Sequence, residues 1–207
     1  RDARLNDGVV DPQGRYVVGS MHLGEPDGEE VLLRVDADGS VERLRDGILL
    51  SNGIAFSPDG RTVYHVDTLA GTISRHTYGP GAFDHDEPWA TLIRTSTPLP
   101  DGLAVGADGS LWVAHWGGWA VCRYTPDGGL VSHIRVPASQ PTRPAFVGHD
   151  LELLAVTSAR TGVPDGAEPH PEPDHSGALI LLDLGIKGTP SFRWRGSTRH
   201  PSWEIDA

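Results

Sequence analysis

A chain of 207 residues with 38% hydrophobic residues, 26 Gly and 17 Pro carries enough apolar side chain for one substantial core and too much for a disordered polymer, and it predicts many turns. The formal net charge of -11, with no run among the 17 Lys and Arg, argues against a nucleic-acid partner, because phosphate binders gather their cations into a patch, and it favours the local accumulation of cations. A single cysteine, Cys122, allows no intrachain disulfide, and neither a signal segment nor an apolar stretch of membrane-spanning length is found, so the expectation is a soluble, cytoplasmic protein with no membrane partner.

In chain order, four units share one pattern: a short apolar strand, an Asp/Gly hairpin turn, and a second strand of β-branched and aromatic residues. The first runs Asn6-Asp7-Gly8-Val9-Val10, turns at Asp11-Pro12-Gln13-Gly14 and continues Arg15-Tyr16-Val17-Val18. Residues 31–35, a turn at Asp36-Ala37-Asp38-Gly39 and residues 40–44 supply its third and fourth strands. The second unit opens Ser51-Asn52-Gly53-Ile54-Ala55-Phe56, turns at Asp59-Gly60 and continues through 62–67 and 71–76. The third opens Pro100-Asp101-Gly102-Leu103, turns at Asp108-Gly109, and continues through 111–114 and 120–124 with a further turn at Asp127-Gly128. The fourth, residues 142–158, has a degenerate turn, and 178–183 fills its third-strand slot. Residues 161–176, with Pro164, Pro169, Pro171 and Pro173 among acids and histidines, read as a long loop.

Aligning Asp7, Asn52, Asp101 and Arg143 gives spacings of 45, 49 and 42 residues, within the roughly 40 to 50 residues of a four-stranded propeller blade. No segment carries a helical apolar period of useful length. The predicted fold class is therefore all-β, a β-propeller with about four blades in one domain over residues 1–207. Four blades close a ring less often than larger numbers do, and the chain opens at Arg1 inside an innermost strand. These are expected to be the C-terminal four blades of a larger ring, with about two N-terminal blades preceding Arg1.

The start of each first strand faces the central channel of a propeller, so Asp7, Asn52 and Asp101 converge although they lie far apart in sequence. Three side-chain oxygens around one axis suit a hard or borderline divalent cation. The competing explanation is turn formation, since Asn-Gly and Asp-Gly are common turn dipeptides and this sequence uses Asp38-Gly39, Asp59-Gly60, Asp108-Gly109 and Asp127-Gly128 that way. The three candidates differ by preceding an apolar strand rather than lying between paired strands.

Taken together, Arg4-Leu5-Asn6-Asp7-Gly8, Ser51-Asn52-Gly53, Pro100-Asp101-Gly102, Thr157-Ser158-Ala159-Arg160 and Gly185-Ile186-Lys187-Gly188 resemble, in order, segments of the SMP-30/gluconolactonase/regucalcin family. That resemblance implies a six-bladed propeller that opens sugar lactones with one divalent metal ion, Ca²⁺, Zn²⁺, Mg²⁺ or Mn²⁺. It further implies that Asn52 and Asp101 are metal ligands, that Arg4 and Asn6 contact substrate, and that a third ligand, a glutamate, lies upstream of Arg1. No organic cofactor is implied. Glu25 lies near a position where relatives carry an acidic substrate contact but is out of register.

The chemistry expected is Lewis-acid hydrolysis, with Asp101 as general base. The alternative is a non-catalytic propeller, a calcium-binding regulator or an interaction scaffold. Ser158 lacks a Gly-x-Ser-x-Gly elbow. The histidines lack zinc spacing, with surface or packing roles expected and His115 beside Trp116 placed at a pocket rim. Cys122, in an alternating segment, reads as a small strand residue.

Overall fold

The computed structural model describes residues 2–81, 83–161 and 175–196. Most of the 161–176 loop lies outside them. The described residues form four antiparallel sheets. Blade 1 holds β1 (Ala3–Val10), β2 (Tyr16–His22), β3 (Glu30–Val35) and β4 (Val41–Ile48), and blade 2 holds β5 (Ser51–Phe56), β6 (Thr62–Asp67), β7 (Thr72–Thr77) and β8 (Ala90–Arg94). Blade 3 holds β9 (Leu99–Val105), β10 (Leu111–Trp116), β11 (Ala120–Tyr124) and β12 (Leu130–Arg135). Blade 4 holds β13 (Pro141–Val147), β14 (Leu153–Ser158) and β15 (Leu179–Asp183), three strands among the described residues where the repeat predicted a full blade.

The hairpins follow from local chemistry. Asp11 accepts the backbone N–H groups of Gln13 and Arg15 on one carboxylate oxygen, and Asp38, Asp59 and Asp108 do the same for residues two positions on. Each turn then closes through a glycine in the left-handed region, at φ 82, 86, 70 and 81° for Gly14, Gly39, Gly60 and Gly109, where a Cβ would be strained.

Blades 2 and 3 bury apolar side chains from both faces of their inner strands against their neighbours, and blades 1 and 4 from the face toward their one described neighbour. Val17, Leu32, Leu44 and Ile48 of blade 1 meet Ile54, Phe56 and Val63 of blade 2. Val66 and Ile73 meet Leu103, Leu111 and Val113 of blade 3, whose Trp112 and Val121 pack on Leu154 and Val156 of blade 4. The innermost strands β1, β5, β9 and β13 touch in succession around the axis, while the outer β12 has no buried residue, only exposed and half-buried ones. Leu179 and Leu181, on one face of β15, are 63% and 58% exposed.

A polar lock joins blades 1 and 2. The Tyr78 hydroxyl donates to Asp11 at 2.7 Å, and Arg15 donates to the same carboxylate at 2.6 Å. Past blade 4 the chain turns back across the propeller: Ala107 N–H donates to Lys187 O, Gly188 N–H to Leu151 O, and Arg195 N–H to Gly14 O. Phe192 meets Phe56 edge-on, so this segment covers the ends of the innermost strands opposite those that carry the candidate residues.

Candidate functional site

Every innermost strand breaks its ladder near the same end, within one residue of the repeat position. Between Leu5↔Ser20 and Gly8↔Val18, Asn6 and Asp7 oppose Gly19 alone. Between Ser51↔Asp67 and Ile54↔His65, Asn52 and Gly53 oppose Val66, and between Pro100↔His115 and Leu103↔Val113, Asp101 and Gly102 oppose Ala114. Blade 4 has Thr142 as the extra residue between Pro141↔Ser158 and Arg143↔Thr157. A β-bulge bends its strand and re-aims a side chain; bulges at this end of all four innermost strands bring Asn6, Asp7, Asn52, Asp101 and Thr142 to a shared cavity, beside the ladder-paired Arg143.

This separates the axial glycines from turn glycines. Neither Gly53 nor Gly102 lies in the left-handed region. A Cβ on Gly53 would lie 2.6 Å from Asp101 O and 2.7 Å from Leu103 N, and one on Gly102 would lie 2.7 Å from Arg143 Cα. The Asn-Gly and Asp-Gly pairs are thus strand residues whose glycine lets the next blade approach, and the turn explanation does not hold for them.

The result is a cavity of about 540 Å³ lined by Arg4, Asn6, Asp7, Asn52, Asp101 and Arg143, with Met21, Leu69, Leu99 and Trp116 among its apolar walls. All four residues singled out in the sequence, Arg4, Asn6, Asn52 and Asp101, come together there. The Asn6 amide donates to Ser51 O at 2.9 Å, and Arg4 lies exposed at the rim with its guanidinium on Leu5 O.

Asp101 is 8% exposed. Burial raises its carboxyl to a pKa of about 7, and the negative charge of Asp7 adds to this against hydrogen bonds from Asn52 and the Gly102 N–H and the charge of Arg143. Asp7 is also raised, by burial, which outweighs its ion pair with Arg143. Its other oxygen, Oδ2, is buried with no hydrogen-bond partner, a costly condition for a carboxylate.

Asp7 joins Asn52 and Asp101 on the axis as the repeat implied, but its pairing with Arg143, and a place for Arg143 among the site residues, were not expected. The signal was the sign change itself: at one repeat position three blades carry oxygen side chains and the fourth an arginine. His115 requires a correction. It is buried, with Nε2 2.9 Å from the Tyr124 hydroxyl, because its alternate position on β10 points it into the interblade core while neighbouring Trp116 lines the cavity. Cys122 is buried in a strand with its thiol pushed up by burial, which suits packing. Ser158 donates to Ala178 O, and His149 is exposed beside Asp150. Among the described residues no three His, Cys, Asp or Glu side chains form a cluster able to hold a metal ion, and no helix is long and apolar enough to cross a membrane.

A profile of the SMP-30/gluconolactonase/LRE-like region matches residues 1–160. The chain is 36% identical over 195 residues to a pentonolactonase of Haloferax volcanii, covering 92% of this chain and 66% of that protein. It is 36% identical over 200 residues to an L-arabinolactonase of Azospirillum brasilense, covering 95% and 65%. Among solved structures, a calcium-binding protein, regucalcin, from Agrobacterium tumefaciens superposes with a TM-score of 0.83 at 32% identity, covering 94% of this chain and 65% of that one. The chain therefore spans about two thirds of the length of the relatives it matches. On the extent of the profile match, the axial Asn-Gly and Asp-Gly bulges and the shared propeller, this chain belongs to the SMP-30/gluconolactonase/LRE-like family.

Proposed function

We propose that the axial cavity hydrolyses a sugar lactone with the help of one divalent cation. The observation that carries this reading is the meeting of Asn52, Asp101 and Asp7 at one end of the axis. Lactonase names among the relatives support the substrate class, and the calcium-binding relative supports a cation.

The donors fit a hard cation in kind. Two carboxylates and a carboxamide offer only oxygen ligands beyond the amide N–H that Asn52 gives to Asp101, and the partnerless Asp7 Oδ2 lies buried beside them. Asn52 and Asp101 would hold the ion, three side chains being too few to complete a shell of six or more oxygens. Such an ion supplies Lewis-acid polarisation of a carbonyl and a lowered pKa for water.

Asp101 carries the proton chemistry. Its carboxylate, buried on the axis beside Asn52, accepts a proton from the attacking water and returns it to the departing ring oxygen. The water oxygen bonds to the acyl carbon, the ring C–O bond breaks, and the product is a hydroxy acid. Arg4 and Asn6 orient hydroxyls or the ring oxygen from the rim, while Met21, Leu69 and Trp116 exclude bulk water.

The test is Asp101→Ala and Asn52→Ala in the full chain, with Ca²⁺ or Mn²⁺ affinity followed by calorimetry and hydrolysis of L-arabino-γ-lactone and D-glucono-δ-lactone followed by acid release. Both variants are expected to lose cation binding and turnover together. Hydrolysis that persists in both with unchanged cation affinity overturns the reading. Cation binding by the wild type with no turnover of any aldonolactone would instead establish the calcium-binding, non-catalytic alternative, which the oxygen-only donor set also suits.

A further inference from the structure

Beneath Asn52 lies a polar chain that the hydrolytic chemistry above leaves unused. Ser51 Oγ is 2.7 Å from His65 Nε2, and His65 Nδ1 is 3.0 Å from Arg45 NH1. Ser51 and His65 are both 0% exposed. A buried Ser–His pair invites assignment as a nucleophile and its base. The third member forbids it.

A guanidinium can only donate, so His65 Nδ1 must accept from Arg45. The ring proton then sits on Nε2 and is donated to Ser51 Oγ. A histidine holding that tautomer cannot take the serine's proton, whereas a nucleophile's partner must. The ring also stays neutral, because burial and the Arg45 charge both hold its pKa well below the usual histidine value. Arg45 is itself fixed, its guanidinium 5.0 Å over the Trp89 ring, with the His65 ring edge-on to the same indole at 5.8 Å.

What this polar chain holds is Ser51, which adjoins Asn52 and accepts the hydrogen bond of Asn6. Ser51 is the last ladder-paired residue before the bulge that carries Asn52 and Gly53, so no ladder bond fixes Asn52. Its carbonyl accepts the Asn6 amide, and its side chain packs so closely on Gly19 that a Cβ there would collide with Ser51 Oγ. Asp67, across from Ser51, accepts the N–H groups of Leu49 and Leu50 at 3.1 Å each and so clamps the entry to β5.

We infer that His65 is a positioning residue, locked as the Nε2–H tautomer by Arg45, that holds Ser51 and through it aims Asn52 and Asn6 into the axial cavity. The inference rests on the lactonase reading only for its effect on turnover; the tautomer stands independently of it.

The experiment has two arms in the full chain. In ¹⁵N-histidine-labelled wild type, His65, assigned by its loss in His65→Gln, should show a protonated Nε2 and an unprotonated Nδ1; the opposite tautomer or a charged ring overturns the inference whether or not the protein turns over lactone. In the second arm, Ser51→Ala and His65→Phe should each lower kcat on L-arabino-γ-lactone by roughly ten- to a hundredfold, the scale of a misplaced contact, with KM little changed. The double variant should be no worse than the poorer single one. His65→Gln, whose amide can still donate to Ser51, should recover most of the loss. Additive losses, or full activity in Ser51→Ala, overturn it. If wild type hydrolyses no lactone, the functional reading fails and the tautomer arm still decides this one.

Discussion

Asp101 is held at a cost that a single substitution should expose. Its carboxyl is raised by burial from 3.8 to about 7, so the folded state binds the proton more tightly than the unfolded chain does. Such a group contributes no penalty while protonated in both states. The penalty grows as pH rises past the unfolded value, through the window between 3.8 and about 7, and is constant above it. At 1.36 kcal/mol per unit, the burden is about 2 kcal/mol at pH 5 and about 4 kcal/mol at pH 8. Asp101→Asn keeps the shape and can still accept the Asn52 hydrogen bond, but carries no charge. In chelator, urea unfolding should show the variant about as stable as wild type at pH 4 and about 4 kcal/mol more stable at pH 8. Adding Ca²⁺ at pH 8 should close the gap from the wild-type side only, since a cation that binds the folded state stabilises it by mass action. A stability difference that does not vary between pH 4 and 8 would refute the assignment of a buried, strained carboxylate at this position.

Gly102→Ala should destabilise by about 2 kcal/mol or more, because the new methyl meets the backbone of blade 4, Arg143 Cα at 2.7 Å, and backbone cannot give way as a side-chain tip does; urea unfolding measures it. Arg143→Ala removes the partner of Asp7, and with it the one positive charge that lowers both Asp7 and Asp101, so the acidic limb of lactone turnover should move to higher pH, as a pH–rate profile would show. Tyr78→Phe deletes the 2.7 Å donor to buried Asp11 and should cost about 1 to 3 kcal/mol in the same unfolding assay. Cys122, buried with its thiol raised, should resist a thiol reagent in the native protein and react fully in denaturant.

How much of this could be read from residues alone depends on whether the signal was local. The hairpin turns were legible because Asp at the first position and Gly at the last state their own geometry, and Asp38-Gly39 and Asp59-Gly60 fold as that chemistry requires. The repeat was legible because each blade spells the same order, and it brought Asn52 and Asp101 to one axis. What stayed hidden was relational. Nothing in Ser51-Asn52-Gly53 tells that His65, 14 residues on in the neighbouring strand β6, reaches Ser51, since in a strand buried almost throughout a packing role is the ordinary one for a histidine. His115 was misplaced for the converse reason: its neighbour Trp116 faces the cavity, and strand alternation sends His115 the other way, into the core.

The bulges explain why positioning and blade packing cannot be separated in this fold. Those of blades 2 and 3 take the residue that faces the cavity out of the ladder, so that Asn52 and Asp101 are not held by the cross-strand bonds that hold Ile54 or Leu103. Their backbones are held instead from the side, through glycines pressed against the next blade. The interface that buries Ile54 between blades 1 and 2, and Leu103 between blades 2 and 3, therefore also sets the distance between the side chains on the axis. A cavity-forming change such as Leu103→Ala, about 2 to 5 kcal/mol in stability for a buried leucine, should loosen the packing of blade 2 on blade 3 and weaken cation binding with no ligand altered. A conservative change on an outer strand, such as Val131→Thr on β12, should leave both untouched. If the two variants lower cation affinity equally, the link between blade packing and axial geometry is wrong.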